Sequence, residues 1–349
     1  MDAIAEKLGI SKTTVHYAIR NTGRVSSAMR KKILSAAKQL GYRPDGVARS
    51  LRVRLTDTVG VVLVDLTSSF YAHLLEGIDK CAQEHQRTIL LSCSNGAPEK
   101  EQKVVETLLE RRVDGLIVVP SDPEVNRQYY QRLIDENVRL VFVDRDIPGI
   151  NVDFVSTDHQ KGAYLATRHL LQQGRRSILT VTTRMRESRS TSVQNRVEGS
   201  TRALEEANLR SRVLFAAELS ENASDEEYGY QAIRHHLARS RARFDGIFAV
   251  HDGLAYGVIR ALVEAGIRVP EDVAVVGFDD QDPSAYLQPP LTTVRQPMRQ
   301  IGFEAMRLLF RRLAEDNLAP RQRLALEPQL IVRQSCGGPS TLSTVERHS

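Results

Sequence analysis

Hydrophobic residues fall along this chain in two different rhythms. Over residues 2–40 they recur every three or four positions: Ile4, Ala5 and Leu8, then Val15, Ala18 and Ile19, then Ile33, Ala37 and Leu40. That spacing predicts three short amphipathic helices. Gly9 suits the left-handed turn that ends the first, Ser11 can cap the second, and Ser26 or Ser27 can cap the third. Two helices joined by a tight glycine turn and followed by a third make a helix-turn-helix. The chain opens on Met1, which offers the first helix no side-chain cap, so that helix is expected to fray, or the start to lie a few codons upstream.

From residue 58 the rhythm becomes one of short unbroken apolar runs: "TVGVVLVDL", "RTILLSCS", "DGLIVVP" and "RLVFVDR". Helical stretches separate them at 72–85, 98–112 and 124–136. The pattern restarts with the helix "KGAYLATRHLLQQG" and continues through "SILTVTT", "VLFAAEL", "FDGIFAV" and "DVAVVGF", with helices at 193–208, 225–239 and 253–265. Valine-rich strands that alternate with helices belong to parallel sheets covered on both faces. The expected fold is an N-terminal all-α helix-turn-helix domain followed by an α/β domain of two subdomains, each a doubly wound parallel sheet. The tail "CGGPSTLSTVERHS" is rich in Gly, Ser and Thr and is expected to be disordered.

Charge separates the two parts further. Residues 1–55 hold twelve Lys/Arg against Asp2, Glu6 and Asp45, a net +9, while the other 294 residues sum to −4. A basic head on a mildly acidic body is the footprint of a polyanion-binding module joined to something else. The second helix of a helix-turn-helix enters the major groove, and its early residues meet base edges. Here those residues are Lys12, Thr13 and His16, with Tyr17 beside them. The stretch "YRPDGVARSLRVRL" then surrounds Leu51, Val47 and Ala48 with arginines, too apolar for a linker and too short and basic for a core helix.

The stretches "GISKTTVHYAIRN", "RVSSAMRKKILSAAKQLGYRPDGVARSLR", "VGFDD" and "PPLTTVRQP" resemble the lactose-repressor (LacI/GalR) family of bacterial transcription regulators, and the likeness spans all but the final dozen residues. The resemblance implies a body of periplasmic-binding-protein-like fold. It implies a helix-turn-helix over 1–44, a hinge helix over 45–55, an effector-binding and dimerisation domain over 56–335, and a tail over 336–349. Within the body, an N-subdomain of about 56–157 and 291–319 and a C-subdomain of about 158–290 and 320–335 are expected, with crossovers near 158–161, 288–292 and 318–322. The hinge of such a protein pushes an apolar wedge, here Leu51 helped by Val47 and Ala48, into the minor groove, while Arg49, Arg52 and Arg54 attract phosphate. The expected DNA contacts are thus Ser11, Lys12, Thr13, Thr14, His16, Tyr17 and Asn21 in the head, and Val47, Ala48, Arg49 and Leu51 in the hinge. His16-Tyr17 replace a common Ser-Arg, so the operator sequence does not carry over.

Ligands of doubly wound sheets bind beyond the carboxyl ends of the strands. Arg196 matches the family's ligand-gripping arginine, and its five donors suit hydroxyls or carboxylates. Asp279 offers an acceptor, and Phe70 and Tyr71 could stack on a sugar or base. Arg145, Asp158 and His251 complete the expected effector set, His251 standing where the family usually has asparagine. Tyr129-Tyr130 and His235-His236 lie on helices and are taken as structural.

The remaining motifs exclude more than they add. The sequence has no phosphate loop with lysine, no G-x-S-x-G elbow and no H-E-x-x-H, which argues against an enzyme. Cys81, Cys93 and Cys336 have no metal-ligand spacing and are expected to be reduced thiols. No apolar run nears the ~20 residues a bilayer requires, and no signal peptide precedes the first helix, so a cytoplasmic protein is expected. The partners expected are double-stranded DNA with a pseudo-palindromic operator, a small-molecule effector and a second copy of the chain, with no cofactor and no membrane. Two rivals remain. A solute-binding protein would lack the +9 head, and an enzyme acting on a sugar or nucleoside would be indifferent to Leu51.

Overall fold

The computed structural model describes residues 1–20, 23, 25–41, 56–182, 190–215, 223–239, 243–314 and 320–338. They form two compact units, Met1–Thr56 and Asp57–Ser349.

The first unit contains three helices, α1 (Asp2–Leu8), α2 (Lys12–Arg20) and α3 (Ser27–Gln39). Ile4, Ala5, Val15, Ala18, Ile33, Ala36 and Ala37 close a small core between them, with Leu8 and Ile19 half-buried at its margin. Gly9 ends α1 at φ 59°, and Ser26 caps α3 by accepting from the Met29 N–H at 3.3 Å. α1 forms without a side-chain cap, the Met1 carbonyl accepting the N–H groups of Ile4 and Ala5 instead. The Arg30 guanidinium donates to the Ala18 carbonyl at 3.0 Å, which ties α3 to the end of α2.

The second unit alternates strand and helix through β1 (Thr58–Leu63), α4 (Ser69–Glu84), β2 (Thr88–Cys93), α5 (Pro98–Glu110), β3 (Leu116–Val118), α6 (Arg127–Asp135), β4 (Leu140–Val143) and β5 (Asp153–Thr157). It continues with α7 (His159–Gln172), β6 (Ile178–Thr182), α8 (Thr191–Glu206), β7 (Val213–Phe215), α9 (Asp225–Arg239), β8 (Gly246–Ala249), α10 (Asp252–Glu264), β9 (Ala274–Asp279), β10 (Thr292–Arg295), α11 (Met298–Ala314), β11 (Arg323–Leu326) and β12 (Gln329–Ile331). The strands make two six-stranded sheets of order β11-β5-β4-β3-β1-β2 and β12-β10-β9-β8-β6-β7. Neighbours are parallel throughout except β12, which runs antiparallel to β10. The sheet that holds β1–β5 is the centre of the N-lobe, and the sheet that holds β6–β10 is the centre of the C-lobe. Central strands such as β1 and β9 are buried along nearly their whole length because helices cover both faces. Tyr129 and Tyr130 belong to the N-lobe core, and the three cysteines are free thiols.

The crossovers depart from expectation. The first lies between β5 and α7, near 158, as anticipated. The second lies at 296–297 rather than 288–292, because β10 is still a strand of the C-lobe sheet, paired with β9. The third lies at 327–328 rather than 318–322, because β11 pairs with β5 in the N-lobe sheet before β12 joins the other. Pro289 and Pro290 turn the chain within the C-lobe, whereas Pro297 follows the last residue that leaves it. Among the described residues, no helix is long and apolar enough to cross a membrane.

Candidate functional site

In the head, α2 presents Ser11, Lys12, Thr13 and Tyr17 to solvent, Tyr17 being 42% exposed. Ser11 is the helix cap: its hydroxyl accepts the Thr14 N–H at 3.1 Å and meets the Thr14 hydroxyl at 2.9 Å. Thr14 and His16 are half-buried, and Lys12, exposed on α2, pairs with Asp2. Asn21 and the hinge residues Val47, Ala48, Arg49 and Leu51 lie outside the described residues.

In the body, charged side chains converge beyond the carboxyl ends of β4, β5 and β9. Arg196 sits on α8, which approaches α7 unusually closely: a Cβ at Gly199, one turn further on, would stand 2.1 Å from the Gln160 carbonyl oxygen. That approach brings Arg196 against His159, the first residue of α7. The guanidinium Nε–H donates to His159 Nδ1 at 3.2 Å, Nη1 donates to the Val250 carbonyl at 2.7 Å, and Nη1 also lies 3.1 Å from Asp279 Oδ1. Its planar face covers the Phe278 ring at 4.0 Å.

His159 extends this cluster into the other lobe. Its Nε2 lies 3.3 Å from the Asp144 carbonyl oxygen and 3.2 Å from Asp144 Oδ1. Because Nδ1 accepts from Arg196, the proton of the neutral ring must sit on Nε2, where both neighbours are acceptors. Burial and the Arg196 charge push the His159 pKa down, keeping the ring neutral. Burial alone would raise the Asp144 carboxyl, but His159, Arg145 and Arg196 hold it below the ordinary carboxylate range. On the far side, Gln296 donates to Asp279 Oδ1 at 2.6 Å and accepts from the Thr157 hydroxyl at 2.6 Å. Asp144, His159, Arg196, Asp279, Gln296 and Thr157 thus form a chain of contacts that engages both lobes and two of the three crossovers.

Asp279 and Asp280 both lie in the left-handed region, at φ 119° and 53°. Burial raises the Asp279 carboxyl and Arg196 opposes that rise. Asp280 points away from Asp279 and is clamped by Arg295 and Arg333, each at 2.7 Å. Phe70 and Tyr71 pack edge to face at 4.9 Å in the N-lobe core. Burial raises the Tyr71 phenol, which also feels Arg145 and Asp144. Arg145 lies 3.7 Å from Asp144, and His251, at the head of α10, lies 3.6 Å from Asp225. Asp158 caps α7, accepting the Lys161 N–H at 2.9 Å. A cavity of about 220 Å³ opens beside this cap, reaching Thr157 and His159 but not Arg196 or Asp279.

Known proteins place this architecture. Residues 1–45 match the lacI family of bacterial regulatory proteins, and residues 167–336 match the periplasmic binding protein-like domain. The chain is 32% identical to the HTH-type transcriptional repressor PurR of Haemophilus influenzae (strain PittEE), over 95% of this chain and 97% of that one. The chain belongs to the LacI family. A further relative, the ribose operon repressor of Haemophilus influenzae (strain ATCC 51907 / DSM 11121 / KW20 / Rd), is 31% identical over 96% of this chain and 98% of its own. Among solved structures, the transcriptional regulator CelR–cellobiose complex superposes with a TM-score of 0.71 at 29% identity, over 96% of this chain and 98% of that one. The lac repressor dimer bound to operator and the anti-inducer ONPF shares the fold at a TM-score of 0.84 and 24% identity, over 95% and 97% of the two chains. As a LacI-family member, the protein is a DNA-binding transcriptional repressor modulated by a small-molecule effector, and it is not an enzyme.

Sequence reasoning named Arg196 and Asp279 but not their mutual pairing, and it overlooked His159, Gln296 and Thr157. Gln296 stood inside the quoted motif "PPLTTVRQP", just before Pro297. Polar residues flanking a crossover were the available signal.

Proposed function

We propose that the effector is a neutral polyhydroxylated metabolite, a sugar or close relative, that binds where Arg196 now meets Asp279. The observation that carries this reading is their buried ion pair, with side chains only 5% and 8% exposed. An anion taken by Arg196 would strand the Asp279 carboxylate, and a cation taken by Asp279 would strand the guanidinium, either being costly in a buried site. Neighbouring hydroxyls satisfy both partners, since a hydroxyl donates to a carboxylate and accepts from a guanidinium. The ribose and cellobiose of the relatives' names are consistent with such a ligand. Arg145, His251, Phe70 and Tyr71 border the same charged cluster, and Asp158 acts through its helix cap.

Binding there breaks or redirects the Arg196–His159 and Asp279–Gln296 contacts. Through His159–Asp144 and Gln296–Thr157 those contacts reach the other lobe and the crossovers, so the ligand changes the relative energy of lobe arrangements and thereby couples to the basic heads. The protein works as a cytoplasmic homodimer on a nearly palindromic operator, because a single head with three or four reading residues discriminates too little. Thr13, His16 and Tyr17 read the major groove, Lys12 takes a neighbouring phosphate, and Leu51 is the minor-groove wedge.

A thermal-shift screen of sugars, sugar acids and purines on the full chain tests the pocket. A ligand at one hundred times its Kd adds about 2.7 kcal/mol of stability. A sugar that shifts the wild type and not Arg196→Met is expected. Equal shifts in both, or a response to sugar acids or purines alone, overturns the proposal.

A further inference from the structure

Among the described residues Asp252 makes no hydrogen bond to Arg196 or Asp279, yet it is a fully buried carboxylate at the first turn of α10. Its hydrogen-bond partners among the described residues are all neutral. Oδ1 accepts the Thr293 hydroxyl at 2.6 Å, and Oδ2 accepts the Ser284 hydroxyl at 2.6 Å and the Gln281 N–H at 2.9 Å. Through them one side chain fastens α10 to β10 and to the turn after β9. That turn begins with the two left-handed residues Asp279 and Asp280, a conformation an aspartate keeps only where its surroundings hold it. The carboxylate also explains Gly277, where a Cβ would stand 2.3 Å from Asp252 Oδ1.

We propose that Asp252 is a positioning residue for the effector site, which holds the 279–284 turn in place and, by carrying or losing a proton, sets how well Asp279 binds its ligand. This rests on the reading of Asp279 as an effector contact. The charges that face it are acidic or already paired. From β9 Asp252 faces Asp279, which is engaged by Arg196, while Asp280 is neutralised by Arg295 and Arg333. From α9, Asp225 and Glu226 approach Gly253, and on its own helix stand His251 and Tyr256. The turn itself adds Asp282, which is exposed. Among the described residues no cation bonds Asp252 directly, and burial, then Asp279, push its carboxyl up to about 8 against the lowering pull of the Ser284, Thr293 and Gln281 donors. The proton has a place to go, because the Tyr256 and Ser284 hydroxyls meet at 2.8 Å and can reverse their donor directions. For an acid raised in the folded state, the stabilising contribution is complete below the ordinary value. It falls as the pH climbs towards 8.

The test uses the full chain. Asp252→Asn imitates the protonated carboxyl, with an amide donor towards Thr293 and an acceptor towards Ser284. Asp252→Ala removes the fastening. Without any sugar, hydrogen exchange should speed up at least about tenfold across residues 279–286 in Asp252→Ala, the change a lost hydrogen bond of about 1.4 kcal/mol produces, and should remain near wild type in Asp252→Asn. With ribose and cellobiose as probes, wild-type affinity should weaken as the pH rises through 8, whereas Asp252→Asn should show a flat profile. Unchanged exchange in Asp252→Ala, or a wild-type pH profile in Asp252→Asn, overturns the proposal. Asp279→Asn separates the two readings: retained sugar affinity there refutes the effector site, while exchange in Asp252→Ala still judges the turn.

Discussion

Removing the Arg196 guanidinium while keeping its bulk, as in Arg196→Met, isolates the electrostatics of the pocket. The change leaves Asp279 buried with Gln296 as its remaining donor and strips one donor each from His159 and the Val250 carbonyl. Breaking a buried pair by deleting one partner costs about 3–5 kcal/mol. Asp279 has an escape, however, because it can take up a proton. From an ordinary carboxyl pKa of ~3.9, protonation costs about 4 kcal/mol at pH 7 and about 1.5 kcal/mol at pH 5. The sign follows from linkage. Asp279 is already raised in the folded state, losing Arg196 raises it further, and a raised acid favours the fold at low pH. The expected loss of stability is therefore about 3–4 kcal/mol at pH 7, shrinking to about 1.5–2 kcal/mol at pH 5. Urea unfolding of the full chain followed by circular dichroism at several pH values measures this, tryptophan being absent from the sequence. A penalty under about 1 kcal/mol at pH 7, or one that grows on acidification, would show that the ion pair does not carry the energy assigned to it.

Three further outcomes are expected. Lys12→Ala should weaken binding to all duplexes alike and lower the slope of log affinity against log salt by about 0.9, as removal of one phosphate contact does; an unchanged slope in fluorescence anisotropy would remove Lys12 from the interface. Leu51→Ala should reduce operator binding far more than random-sequence binding in gel shifts, and equal losses would refute the wedge. Gly199→Ala, whose new methyl would meet the Gln160 carbonyl, should cost about 1–3 kcal/mol and diminish the sugar-induced thermal shift by moving Arg196 off His159. Wild-type stability in that variant would mean that α7 and α8 can part without consequence.

Much of the architecture was readable because burial on both faces leaves unbroken apolar runs, and because helix ends carry caps. The helix anticipated at 253–265 occupies Asp252–Glu264, and the one at 225–239 is matched residue for residue. β5 escaped notice because it is buried yet polar. Asp153 within it is covered by Arg312, whose guanidinium donates to both carboxylate oxygens, so a charge sits where a valine would have been recognised. The crossovers were misplaced for a related reason: proline marks turns well, but it does not say whether a turn leaves a lobe. In the site, single residues with distinctive chemistry were legible and their partners were not. Arg196 and Asp279 stood out as types, whereas His159, Gln296 and Thr157 acquire meaning only through proximity that no local pattern encodes. Asp158 was noticed for its carboxylate, which the helix end already uses.

The strand exchange near the carboxyl end has a consequence for biosynthesis. β11 is the border strand of one sheet and β12 of the other, and only two residues separate them. Neither lobe can finish its sheet until residues 323–331 have left the ribosome, while the three-helix head has its own core from the first forty residues. A nascent polypeptide therefore carries a finished nucleic-acid reader long before the sensor that governs it. A message cut short before Arg323 would yield heads attached to two sheets with bare borders at β5 and β10, a product prone to stick to its own kind.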